Sequence, residues 1–236
     1  MREYSAIESN LYDSFDKLLK SDVLEIDFEN VGTFTDPSTG KSSEFEVRPE
    51  WKDVILDPRL DEATPWITEL ACRWRSVARK KTPEIHGEFR IRNIYDALLR
   101  RAPDLAWEKA SREEKQLVAE FRTIDDTPRS GAGLITAIRV QPHVNPLEVW
   151  YYDKDLSRYP GHQIDYVRLD IDYVEYMKVL PITKGTFGWQ YLFSDISLSS
   201  LGTHVATNLE AMLEVFPTTF PEYDYTPLRE RWEARL

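Results

Sequence analysis

The sequence predicts an α+β protein: an antiparallel sheet with helices packed on it, preceded by an N-terminal helix and hairpin. Three observations carry that prediction. In several segments apolar residues recur at spacings of three and four, which marks helices with one buried face. In others they alternate with polar residues, which marks strands with one face on a core. The balance of 42% hydrophobic and 30% charged residues is that of a folded chain with a sizeable core.

Taken in order, residues 4–20 put Ile7, Leu11, Phe15, Leu18 and Leu19 on one helical face, and Ser21-Asp22 ends it. Residues 23–28 and 44–47 alternate around the turn cluster Asp36-Pro37-Ser38-Thr39-Gly40, so 23–48 read as a hairpin. Its carboxylates Glu25, Asp27, Glu29, Glu44 and Glu46 share one face, where they must be solvated or neutralised by a basic partner. Residues 49–65 are a connection punctuated by Pro49, Pro58 and Pro65. A helix is expected over 64–81, with Thr64 as cap, Pro65 at its first position and Arg79-Lys80-Lys81 at its carboxyl end. A second helix is expected over 89–101. A third is expected over 111–122, where Ser111 and Glu113-Glu114 make a capped start. After a loop at 125–133, residues 134–140, 147–152 and 167–171 read as strands. Residues 173–180, 199–216 and 227–235 read as helices. We expect one domain over 1–236, with a soft boundary near 123–133.

The net charge of −11 is unevenly placed. Residues 1–70 carry 17 acids and 7 bases, 71–101 carry 9 bases and 3 acids, and 120–236 carry 17 acids and 11 bases. Overall acidity disfavours nucleic acid as a partner and favours a basic protein partner. The bases Arg73, Arg75, Arg79, Lys80, Lys81, Arg90, Arg92, Arg100 and Arg101 are expected to face the acids of residues 1–70 or to lie on solvated faces. Cys72 is the one cysteine, so no intramolecular disulfide forms and a reducing compartment, the cytoplasm, is expected. The amino end lacks a secretory h-region, no apolar run is long enough to span a membrane, and the carboxyl end carries no lipidation box.

No motif marks a catalytic, cofactor or metal site. His86, His143, His162 and His204 are scattered, with no second ligand at metal spacing. Ser130-Gly131-Ala132-Gly133 resembles a phosphate cradle, but no Lys-Ser/Thr follows and it leads into a strand. What stands out is a ladder of carboxylates and tyrosines: Asp165, Tyr166, Asp170, Asp172, Tyr173, Glu175 and Tyr176, with Trp189 nearby. On a surface these would bind a basic patch, charge setting the on-rate and aromatics supplying contact area.

Tyr173-Val174-Glu175-Tyr176, Thr183-Lys184-Gly185 and Gly188-Trp189-Gln190-Tyr191-Leu192-Phe193 together resemble the late part of the SUKH superfamily. That superfamily includes fungal cell-wall-synthesis regulators and bacterial immunity proteins. The resemblance covers about 50 residues, roughly 147–200, and the family's early Leu-Pro-x-x-Tyr-x-x-Phe helix has no counterpart here. It implies an α+β fold, no catalysis and a protein-binding role such as neutralising a toxin. The expected function is therefore a non-enzymatic interaction protein, an immunity protein or antitoxin, binding a basic partner. The alternatives are a hydrolase with a dispersed carboxylate site and a self-assembling structural subunit of phage type.

Overall fold

The computed structural model describes residues 3–35, 45, 48–77, 83–106 and 110–236. Among them are seven helices and two antiparallel sheets. In chain order these are α1 (Ala6–Lys20), β1 (Leu24–Val31), α2 (Leu60–Ala63), β2 (Glu69–Ser76), β3 (His86–Arg92), α3 (Ile94–Leu99), α4 (Arg112–Ala119), β4 (Phe121–Asp126), β5 (Leu134–Arg139), β6 (Val149–Asp153), β7 (Tyr166–Arg168), α5 (Tyr173–Thr183), α6 (Thr203–Thr219) and α7 (Thr226–Glu233). The first sheet has the order β1-β2-β3 and the second β4-β5-β6-β7.

Helix α1 begins where Ser5 accepts from the Glu8 amide, and it buries Leu11, Phe15 and Leu18 as their spacing requires. The hairpin that follows it differs from the expected one in its second strand. β1 pairs with β2. Phe45 packs against the Trp51 ring. Residues 36–40, Glu44, Glu46, Val47, Arg79, Lys80 and Lys81 lie outside the described residues.

The helix expected over 64–81 is strand β2. The stripe Trp66, Ile67, Leu70, Ala71, Trp74 and Val77 fits a helix, but Cys72, Trp74 and Ser76 also alternate with Arg73 and Arg75. Pairing decides between the two. In register with β1, Arg75 stands beside Glu25 at 3.1 Å, and Arg73 and Arg75 reach Asp27 at 3.6 and 3.7 Å. Arg73 and Arg75 do face acids of the amino-terminal part, whereas Arg90 and Arg92 pair with Asp126. Each such exposed pair contributes only about 0–1 kcal/mol, so the central position of β2, paired on both sides, is the larger reason.

The helix expected over 89–101 is likewise divided. Residues 86–92 are β3, with Phe89 and Ile91 buried, and Asn93 caps the short α3 by accepting from the Tyr95 amide. Gly87 is required there, because a Cβ would lie 2.3 Å from the Trp74 ring. Helix α4 starts at Ser111 with the expected capping box to Glu114.

Most of β4 falls in the region 123–133. Asp125 and Asp126 tie the sheets together where β3 meets β4. Arg90 donates from its backbone amide to Asp125 and from its guanidinium to Asp126, and Arg92 also reaches Asp126. One buried apolar cluster runs from Leu11 to Leu228 and takes residues from both sheets and from α1, α5, α6 and α7. A small second cluster, Val118, Phe121, Ala137 and Tyr166, covers the other face of the second sheet.

Candidate functional site

Strand β7 is an edge of the second sheet, unpaired on its outer side among the described residues. Asp153 N donates to Asp165 O, and Leu169 N donates to Val149 O. Alternation therefore turns the peptide groups of Tyr166 and Arg168 away from β6, toward the open edge. A groove of about 1060 Å³ runs along that edge. Its lining holds five carboxylates, Glu148, Asp170, Asp172, Glu175 and Asp195, and two guanidinium groups, Arg168 and Arg235; Arg139, Arg231 and Arg59 pair from outside it with Glu148, Asp170 and Asp172, so that among the described residues Glu175 and Asp195 have no ion pair. Ile164, 42% exposed, stands in the same groove.

The structure separates the carboxylate–tyrosine ladder into two halves. Its acids are outside. Asp165 accepts from Ser157 N. Asp170 accepts twice from Arg231. Asp172 caps α5 and pairs with Arg59 at 2.7 Å, and Glu175 closes the capping box. Its aromatics are inside. Tyr173, Tyr176 and Trp189 belong to the main core, with Tyr176 and Trp189 at 0% exposure, and Tyr166 is packed between Phe121 and Trp150. The expected tyrosine-rich surface is thus corrected to an acidic one. The interleaving arises because Asp165 and Asp170 flank β7 while the first turn of α5 is amphipathic, with Asp172 and Glu175 at its cap and Tyr173 and Tyr176 toward the core.

Sequence reasoning missed four buried polar groups. Asp125, read as loop, lies fully inside. Its carboxylate accepts from Tyr176 Oη at 2.6 Å and Arg90 N at 2.7 Å, yet burial pushes its pKa up to about 7. Tyr176 Oη also meets Thr136 Oγ1 at 3.1 Å. Lys184, at the left-handed carboxyl cap of α5, donates from Nζ to Ser14 Oγ. Its ammonium lies 4.4 and 4.5 Å from the Phe220 and Tyr223 ring centres, and burial pushes its pKa down to about 7. Glu88, also buried, accepts from the amides of Arg129 and Ser130. The loop that resembles a phosphate cradle thus spends those two donors on the chain's own carboxylate. Asp153 accepts from Tyr191 Oη at 2.7 Å.

A second cavity, a cleft of about 480 Å³, lies between the start of β3, the end of β6 and the first turns of α6. Tyr151, Tyr159, Tyr191, Asp153 and His204 are among its lining residues. The perturbed carboxyl of Asp125 lines neither cavity.

Burial, with Glu29 and Asp27 nearby, pushes the Cys72 thiol up to about 12, which leaves it protonated and unreactive. His86 stands 3.2 Å from Glu84, and His162 bonds Ser200 Oγ. Among the described residues, no group of three or more His, Cys, Asp or Glu side chains is placed to hold a metal ion, and no helix is long and apolar enough to cross a membrane. Compared with protein-family models, with curated proteins and with solved structures, the chain finds no match.

Proposed function

We propose that the chain works by binding a basic protein partner, an extended segment of which adds to the free edge of β7 and lies in the acidic groove. The observation that carries this reading is a strand edge, unpaired among the described residues, set in a groove where Glu175 and Asp195 have no ion pair among those residues. Strand addition supplies main-chain hydrogen bonds, and the carboxylates select for lysine or arginine and speed the encounter. The tyrosines contribute rigidity beneath the strand instead of contact area upon it. An immunity protein or antitoxin acting on a basic toxin is the kind of protein this describes, in line with the SUKH resemblance of residues 147–200.

A hydrolase with a dispersed carboxylate site is less favoured. Such a site needs its perturbed carboxyl to face a cavity, and Asp125 is enclosed by Tyr176, Thr136 and the backbone of Arg90.

The test is capture of a partner from native lysate at low ionic strength by the wild-type chain and two variants. Arg168→Pro removes an amide that faces the open edge, a position where an edge strand tolerates proline. Asp195→Lys reverses an exposed groove charge. We expect capture of a basic protein that weakens as salt rises, is lost in Arg168→Pro and slows in Asp195→Lys. Capture that is indifferent to salt and to both variants would overturn the reading.

A further inference from the structure

The cleft between the sheets is independent of the groove, and its chemistry differs. Its 480 Å³ falls within the range of about 300–1,000 Å³ typical of small-molecule sites, and it has room for a whole molecule. Its walls are core elements. Asn208 on α6 fixes one side by accepting from His86 N and donating to the carbonyls of His86 and Phe187. The rings of Tyr151 and Tyr191 stand at 90° with centroids 5.2 Å apart, so they form two adjacent walls of an aromatic box. Tyr159 also lines it. Beside the box Asp153 is buried, held by Tyr191 Oη and by the Asp155 amide. Tyr151, itself 1% exposed, carries a hydroxyl with no hydrogen-bond partner among the described residues.

The charge of the cleft decides what it takes. Glu84, Asp153 and Asp155 line it against one ammonium, Lys154, which donates to the Gly131 carbonyl in the neighbouring loop, and Arg158 pairs with Asp155 at 2.8 Å from outside the lining. The first turn of α6 adds about half a positive charge, which leaves the excess negative. Burial holds the Tyr151, Tyr159 and Tyr191 phenols above their ordinary range, so all three stay neutral, and neutral ring faces attract cations.

We propose that this cleft binds a small organic cation, a protonated amine or guanidinium on an apolar body. The cationic head sits against the tyrosine box and Asp153. The body lies along Leu134, Phe187 and Val205, which line the same cleft.

The test is calorimetric titration of the full chain at neutral pH with benzylamine and with its neutral isostere, benzyl alcohol. We expect the amine to bind about tenfold tighter, a preference of the size that cation–aromatic and ion-pair contacts give. Asp153→Asn should abolish that preference. Thr207→Trp, at an exposed position on the cleft wall, should weaken both probes while leaving the thermal unfolding midpoint unchanged. Equal affinity for amine and alcohol, no binding of either by folded protein at millimolar concentration, or benzylamine affinity unchanged in Thr207→Trp would each overturn the proposal. Should Asp153→Asn fail to fold, the amine-to-alcohol ratio and Thr207→Trp still decide.

Discussion

Tyr176 donates to Asp125 at 2.6 Å and Tyr191 donates to Asp153 at 2.7 Å, yet only the second pair borders a cavity. In the first pair every polar atom has a partner from the chain: Arg90 N on the other carboxylate oxygen, and Thr136 and Gln190 on the tyrosine hydroxyl. In the second, the neighbouring Tyr151 hydroxyl is left over. The same bond therefore does two things. Sealed between the sheets, it fixes how they pack. On a cleft wall, it holds a carboxylate beside space that a ligand can enter. A buried polar pair speaks for function only when something beside it is left incomplete.

The largest expected effect comes from breaking the seal. Trp189 packs on the Tyr176 ring at 4.7 Å and is fully buried. Trp189→Ala should cost about 3–5 kcal/mol in urea unfolding, and near-normal stability would show that the sealed site does not depend on it. Next come the two tyrosines themselves. Tyr176→Phe leaves an Asp125 oxygen without a donor where no water enters, and should cost about 1–3 kcal/mol. Tyr191→Phe should cost clearly less, since cleft water can replace the lost hydroxyl. Equal costs would erase the contrast.

Titration gives a third test. Asp125 binds its proton more tightly folded than unfolded, so its contribution is fully present below the ordinary carboxylate range and is lost as pH rises to about 7. Lys184 is the opposite case, since its proton is held less tightly when folded. Its contribution is present above the usual lysine range and is lost as pH falls to about 7. Each slope is at most about 1.4 kcal/mol per pH unit. Asp125→Asn should flatten the acid side of a stability–pH curve, and Lys184→Met should flatten the alkaline side. A curve unchanged by either would show that neither group is perturbed. The smallest effect is at the surface, where Asp170→Ala should change stability by no more than about 0.5 kcal/mol, despite its pairing with Arg231.

The sequence shows the fold class and most elements after residue 110 clearly, because their patterns are local: the capped start at Ser111, and the strand-like runs of β5 and β6. It misleads at β2, where one apolar stripe satisfies both periods and only the distant β1 decides. The groove is half legible. Asp170, Asp172 and Glu175 lie in it, but nothing in the order of residues says that Tyr173 and Tyr176 turn inward. The cleft is not legible at all. Tyr151, Tyr191, His86 and Asn208 are far apart in the chain and meet only because the two sheets are joined at β3 and β4. Among the signals that a closer reading could use, the pair Asp125-Asp126 beside a basic strand is the best.

Glu88 reaches from β3 across to the loop after β4 and accepts from the amides of Arg129 and Ser130 at 2.6 and 2.8 Å. Those two protons are guarded by a side chain on a different sheet. They should therefore exchange with deuterium at the rate at which the sheets part, far more slowly than their place in a glycine-rich loop suggests. The loop becomes a reporter: two slow amides that keep time for the separation of the two sheets.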